Sequence, residues 1–492
     1  MATGGRRDRL ATAVVAMVVL LAVVTPTATA APPPPPEPVR DVHDPMVVRD
    51  GGAWYLFSTG DGIPVRRSTD LVHWELLGPA IVDEPLWWAD VRTGAGHVWA
   101  PHVVASPDGW RLYYAVSTFG SQRSAIGLAT SPTLDPDAPG YGWTDGGIVV
   151  ESFPGDATNA IDAAVADDDD GSWLLWGSYW DGIVAARLDP ATGRLADPAA
   201  PPVPLARRPP PSGVIEAAFV VRHRGAWWLF TSFDQCCRPD ATYHVRVGRS
   251  SSLLGPYVDA DGVPLLEGGG TVVVAGHGED VRGPGHQALL DADGELLLAH
   301  HWYDATAGGA RTLGISAVAW LDGWPVLAPP GESATDVPPD PADLVGTWQV
   351  DRHRRFSPIT REISLRPDGV VAGGGRWSLD GATVQVEVPV LGCSGPTVST
   401  RFVATSGGSL TGRWADGWTA WATRTGPPGP DPCAEPAPST TTTTTSTTSP
   451  ADPSPAPTTS TSAAPDPGDR VAPVTATAPA ATPVLAAPRL AG

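Results

Sequence analysis

A fivefold internal repeat, with a period of about sixty residues, limits this chain more than any other feature of its sequence. Each unit opens on an ionisable residue and a short apolar run. A polar turn containing Gly follows, then a second run of aromatic and aliphatic residues. The first unit runs Asp44–Val48, Gly51-Gly52, Trp54–Thr59, and the second His102–Val104, Asp108-Gly109, Trp110–Ser117. The third is Asp162–Val165, Gly171, Trp173–Ser178, and the fourth Glu216–Val221, Gly225, Trp227–Ser232. The fifth is His286–Leu290, Asp293-Gly294, Leu296–His300. Turn residues between two strand-forming runs make each pair a hairpin, and the period leaves room for two more short strands. Four-stranded units repeated radially form a β-propeller, so an all-β, five-bladed β-propeller is predicted over residues 39–328. No capped run with helical periodicity exceeds two turns.

In a propeller the innermost strands line a central channel. The residues opening the repeats, Asp44, His102, Asp162, Glu216 and His286, should therefore face one funnel. Ionisable groups are costly to keep in a narrow channel without a role, so the funnel is the candidate active site. The rest of the chain narrows the chemistry. Arg6, Arg7 and Arg9 precede the apolar stretch Leu10–Val24 and the small residues Ala28-Thr29-Ala30, so residues 1–30 read as a secretory signal peptide. Residues 31–38 form a Pro-rich linker. A formal net charge of −21 disfavours nucleic acid, anionic membranes and a polyanion such as unsubstituted pectin backbone, and favours a neutral polymer. Twenty Trp suit both sheet cores and sugar-stacking faces. Three acids converging on one channel of an exported, Trp-rich protein suggest glycoside hydrolysis, which needs one carboxyl protonated and another ionised.

Particular motifs carry a resemblance. They are His43-Asp44-Pro45, Trp99-Ala100-Pro101, the run Ser117–Ser124, Asn159–Asp162, Gly177–Ile183, Ile215-Glu216-Ala217, Phe233–Arg238, Gly268–Thr271 and Gly283–His286. Together they resemble the endo-α-1,5-L-arabinanases of glycoside hydrolase family 43, in order, across nearly the whole repeat block. The resemblance implies an inverting mechanism, with Asp44 as general base, Glu216 as general acid, and Asp162 raising and orienting Glu216. It implies a metal at His286, calcium coordinated mostly by water, and arabinan side chains of pectin as the partner polysaccharide. Trp99, Phe119 and Trp180 offer flat faces to furanose rings, while Asn159 and Ser178 offer hydrogen bonds to sugar hydroxyls. The chain departs from the family's usual pattern at His102, Ala163, Ala164, Ala218, Pro239 and Gln287.

Beyond a Pro-rich break at 329–341, residues 342–424 alternate in short strands around Asp368-Gly369 and Asp380-Gly381 and resemble the small lipocalin-like β-barrel appended to some secreted arabinanases. Cys393 and Cys433 could close a loop there, whereas the adjacency of Cys236 and Cys237 strains any bond between them. Residues 434–492, almost all Thr, Ser, Pro and Ala, are predicted to be disordered, with a cell wall as one place they could embed. A monomer is expected. Three readings follow: an endo-arabinanase, an exo-acting arabinofuranosidase or β-xylosidase of the same fold, and a sugar-binding propeller without catalysis.

Overall fold

The computed structural model describes Met1 and residues 37–433, apart from 95, 211, 212, 357, 391, 392 and 394. The expected signal peptide beyond Met1, most of the expected linker and the Thr-rich tail therefore lie outside the described residues. Five four-stranded antiparallel sheets follow one another in the sequence, and each keeps its strands in chain order from the centre outward. Blade I spans Met46–Pro79, blade II Trp99–Ser152, blade III Ala164–Ala206, blade IV Ile215–Val274 and blade V Val281–Leu327. Among the described residues the two α-helices, Trp88–Val91 and Pro341–Leu344, are four residues each. No helix among the described residues is long and apolar enough to cross a membrane.

The second run of each repeat is continuously apolar because its strand is covered on both faces by neighbouring blades. In blade I, Tyr55 and Phe57 pack with Val103, Leu112, Tyr114 and Val116 of blade II. Trp54 and Leu56 point the other way, onto Leu290 and Ala299 of blade V. The same division continues round the ring. Tyr113 meets Leu174 and Trp176 of blade III, and Leu175 meets Trp227 and Leu229 of blade IV. Trp228 and Phe230 meet Leu289, Leu296 and Leu298 of blade V. The period of two in side-chain direction thus becomes an alternation between partners rather than between core and solvent. At the joint between first and last blades, Leu313 N–H donates to Val39 C=O at 2.9 Å, and Arg40 pairs with Asp304 at 3.0 Å.

The C-terminal strands, Gly346–Gly426, form a closed eight-stranded barrel. Its interior is filled by Trp348, Val350, Val384, Val386, Phe402 and Trp414. The barrel is bonded to blades IV and V. Thr411 Oγ1 and Trp421 Nε1 both donate to Leu327 C=O, and Arg413 reaches Val272 C=O at 2.9 Å. Arg355 reaches Asp234 at 2.7 Å. A disulfide links Cys393 to Cys433, and a second joins the adjacent Cys236 and Cys237.

Candidate active site

The chain turns into each inner strand through a residue with left-handed backbone, and none of the five is Gly. They are Asp44 (φ 52°), Ala100 (46°), Asp162 (59°), Ala217 (57°) and His286 (51°). Such conformations cost of order 1–3 kcal/mol each and persist only where the surroundings hold them. Here they are held. Ala217 N–H donates to Asp162 Oδ2 at 3.0 Å, while its carbonyl accepts from Gln287 Nε2 at 2.6 Å. Gln287 is fixed in turn by Ser232, which donates to Oε1 at 2.9 Å and accepts from His286 N–H at 2.9 Å. This recurrent backbone kink also explains a misplaced residue. In blade II it falls at Ala100, so His102 sits two residues further along the strand, past an irregularity in register between Trp99 and His102. His102 does not line the mouth of the funnel. It is buried, accepts from Val165 N–H at 3.1 Å, and lies 5.7 Å from the Phe219 ring, and burial holds its pKa down at about 4.

At this mouth a cavity of about 490 Å³ opens. The structure places Asp44, Asp162, Glu216 and His286 on its wall, together with Trp99, Phe119, Asn159, Ser178 and Trp180. Four blades, I, III, IV and V, supply the ionisable groups from four separate stretches of chain. Phe119 is 80% exposed and Trp180 37%, so both offer apolar surface at the rim. Asn159 and Ser178 are engaged within the protein. Asn159 Oδ1 accepts from Ser124 at 2.8 Å, and Ser178 donates to Glu216 Oε2 at 2.7 Å.

The carboxylates occupy opposite electrostatic settings. Asp44 is buried, which alone would raise its pKa, but His286, His43 and His301 surround it and hold it well below the usual carboxylate range. The approaches are His43 Nδ1 to Oδ2 at 2.9 Å and His286 Nδ1 to Oδ1 at 3.1 Å. Thr59 also donates its hydroxyl to Oδ2. Glu216 is raised, chiefly by burial, against the opposing effect of hydroxyl donors from Ser178 and Tyr243, the latter at 2.8 Å. Burial and the Glu216 charge push Asp162 well above its ordinary value. The Asp162–Glu216 pair is thus biased towards holding a proton and Asp44 towards its ionised form, the separation that acid–base chemistry requires.

His301, Tyr243, Tyr303 and Thr59 belong to this site and were missed in the sequence. A signal was present: the second apolar run of several repeats ends in a hydroxyl or imidazole, at Thr59, Ser117, Ser178, Ser232 and His301. These ends return to the mouth and hold the residues that open the repeats. His43, Asp44 and His301 bring donor atoms within 4.8 Å of one another. His301 Nδ1 accepts from Asp44 N–H at 3.0 Å, so the trio is a hydrogen-bonded network rather than a cation cage. His286 is a different case. One imidazole, lining the cavity with one nitrogen facing Asp44, suits a hard cation only if water supplies most of the six to eight oxygen ligands. The residues present fit a cation in that form.

A radial β-sheet fold whose channel mouth sets one carboxylate held towards its ionised form beside a pair that burial pushes towards protonation defines a carbohydrate-cleaving propeller. Residues 36–325 match the family model for glycosyl hydrolases family 43, and the chain belongs to that family. The extracellular exo-alpha-(1->5)-L-arabinofuranosidase ArbA of Cellvibrio japonicus is 40% identical over 298 residues, covering 58% of this chain and 86% of its own. The extracellular endo-alpha-(1->5)-L-arabinanase 1 of Bacillus subtilis is 36% identical over 291 residues, covering 58% and 87%. Among solved structures, the Cellvibrio cellulosa alpha-L-arabinanase complexed with arabinohexaose superposes with a TM-score of 0.57 at 38% identity, covering 59% of this chain and 96% of that one.

Proposed function

We propose that this family 43 hydrolase is exported and cleaves internal α-1,5-linked bonds of arabinan with inversion at the anomeric carbon. The observation that carries the reading is the opposed setting of the carboxylates in one cavity: three imidazoles and a threonine hydroxyl around Asp44, burial and mutual charge on Asp162 and Glu216. Glu216 donates its proton to the departing sugar oxygen as the glycosidic C–O bond breaks. Asp44 takes a proton from the water whose oxygen forms the new bond to the anomeric carbon. Asp162 holds the Ala217 backbone, and with it the direction of Glu216. A water-coordinated cation at His286 belongs to the same proposal; when bound it adds positive charge beside Asp44. Export is supported by the sequence of residues 1–30 and by the extracellular naming of both relatives.

Internal cleavage is supported by the exposed Phe119 and Trp180 faces, which offer stacking surface at the rim to further sugar units, and by the Bacillus relative's name. The Cellvibrio relative's name favours the exo reading. Digestion of debranched linear arabinan separates the two: a ladder of oligomers is expected, and arabinose or a single short product throughout the digest refutes endo action. Glu216→Gln should lower kcat by at least about a thousandfold while arabino-oligosaccharide binding persists. Wild-type protein that binds the oligosaccharide without cutting it would make this a sugar-binding propeller.

A further inference from the structure

Tyr303 stands at the junction of three groups beside the cavity, and hydrogen-bond counting around it fixes where their protons lie. Its hydroxyl oxygen is 2.7 Å from Cys237 N, 2.8 Å from His43 Nε2 and 3.1 Å from His301 Nε2. The count starts at the backbone, where no choice exists. Asp44 N–H donates to His301 Nδ1 at 3.0 Å, so that nitrogen carries a lone pair and the neutral ring carries its proton on Nε2. The longer 3.4 Å approach of His301 Nδ1 to Asp44 Oδ1 does not compete with this bond. His301 Nε2–H then donates to the Tyr303 oxygen. Cys237 N–H is the second obligatory donor to the same oxygen, and a phenol has two lone pairs. Both are now filled, so the Tyr303 O–H must itself donate, and the acceptor within reach is His43 Nε2. His43 in its neutral form is thereby left with its proton on Nδ1, the nitrogen 2.9 Å from Asp44 Oδ2. That approach is close but not aligned as a hydrogen bond. Contacts of this kind commonly tighten when substrate binds.

We infer that Tyr303 is a positioning residue that locks His43 in the Nδ1–H tautomer and His301 in the Nε2–H tautomer, so that His43 offers Asp44 a donor rather than a lone pair. The same hydroxyl ties this arrangement to the loop of the adjacent cysteines through Cys237 N–H. The wall of the cavity and the orientation of the base are therefore set by one atom. The opposite tautomer would put the lone pair of His43 Nδ1 against the carboxylate oxygen. The inference deepens the reading of Asp44 as the base and rests on it for its catalytic consequence. Its tautomer assignments stand independently of that reading.

Two measurements test it on the full-length enzyme. In ¹⁵N spectra of protein labelled at histidine, assigned with single His→Gln variants, His43 should show a protonated Nδ1 with a bare Nε2, and His301 the reverse. The opposite pattern at either ring overturns the inference whatever the activity. Tyr303→Phe should move His43 towards a mixture of tautomers; an unchanged His43 signal also overturns it. Amide geometry supplies the kinetic arm, because the Asn NH₂ replaces imidazole Nδ1 and the Gln NH₂ replaces Nε2. His43→Asn should retain kcat within about threefold, and His43→Gln should lose about a hundredfold, with KM moving less than twofold in each. Equal losses in the two variants, with both folded by circular dichroism, refute a role for the Nδ1 donor. A kcat within about tenfold of wild type in Asp44→Asn would refute Asp44 as the base and leave the proton assignments intact.

Discussion

Replacing Tyr243 by Phe isolates one contact on the proposed acid. The Tyr243 hydroxyl donates to Glu216 Oε1 at 2.8 Å, and the ring is 1% exposed and stacked on His301 at 5.9 Å. Phe retains that packing and removes only the donor. Burial raises Glu216, and the hydroxyls of Ser178 and Tyr243 oppose it, because a donor stabilises the ionised form more than the neutral one. Bonds to charged acceptors are worth about 1.5–3 kcal/mol and those to neutral ones about 0.5–1.5, a difference of about 1 kcal/mol. At about 1.36 kcal/mol per unit, the pKa of Glu216 should rise by about one unit. The acid form then survives to higher pH, so the basic limb of the kcat/KM profile on debranched arabinan moves up by about that amount. The acidic limb, set by Asp44, stays where it was. A basic limb that stays still or moves down would refute Glu216 as the group titrating there.

Three further outcomes are expected. Phe119→Ala and Trp180→Ala should each raise KM on polymer by about five- to tenfold with kcat nearly unchanged, as loss of a stacking face at the rim predicts; equal KM values for wild type and variants would remove both rings from the binding surface. Asp234 joins Arg208 at 2.6 Å and Arg355 of the barrel at 2.7 Å. Asp234→Ala should therefore cost about 2–3 kcal/mol in a denaturant melt, whereas Arg355→Ala, which removes a half-exposed partner and leaves Arg208 in place, should cost less than about 1. Cys393→Ser should destabilise the barrel by about 2–4 kcal/mol, since the disulfide to Cys433 closes a loop with a sequence separation of 40. An unchanged calorimetric transition would show that the loop is held by other contacts.

The propeller was legible because each blade repeats the same local grammar: an apolar run, a Gly-containing turn, and an apolar run buried on both sides. Asp44, Asp162, Glu216 and His286 were legible for the same reason, since they occupy or adjoin the kink that turns each blade inward. His102 was misplaced because counting from the hairpin turn cannot detect the irregular register that separates it from Ala100. His301 and Tyr303 were hidden by their position at the far end of a second strand. Their importance comes from contacts across 257 and 260 residues, to Asp44 and His43. No local pattern encodes such a pairing, because it exists only once the ring has closed.

That closure has a consequence of its own. Every sheet is complete in consecutive strands, so no strand of the first blade is lent to the last. The hoop is fastened by the Val39–Leu313 backbone bond, the Arg40–Asp304 pair, and the seam where Trp54 and Leu56 meet Leu290 and Ala299. Asp44 lies a few residues from one side of that fastening, and His286 from the other. Adding or removing a methyl group at Leu290 would therefore act on the spacing of the Asp44 carboxylate and the His286 imidazole without touching either, making this seam a dial on the mouth of the cavity.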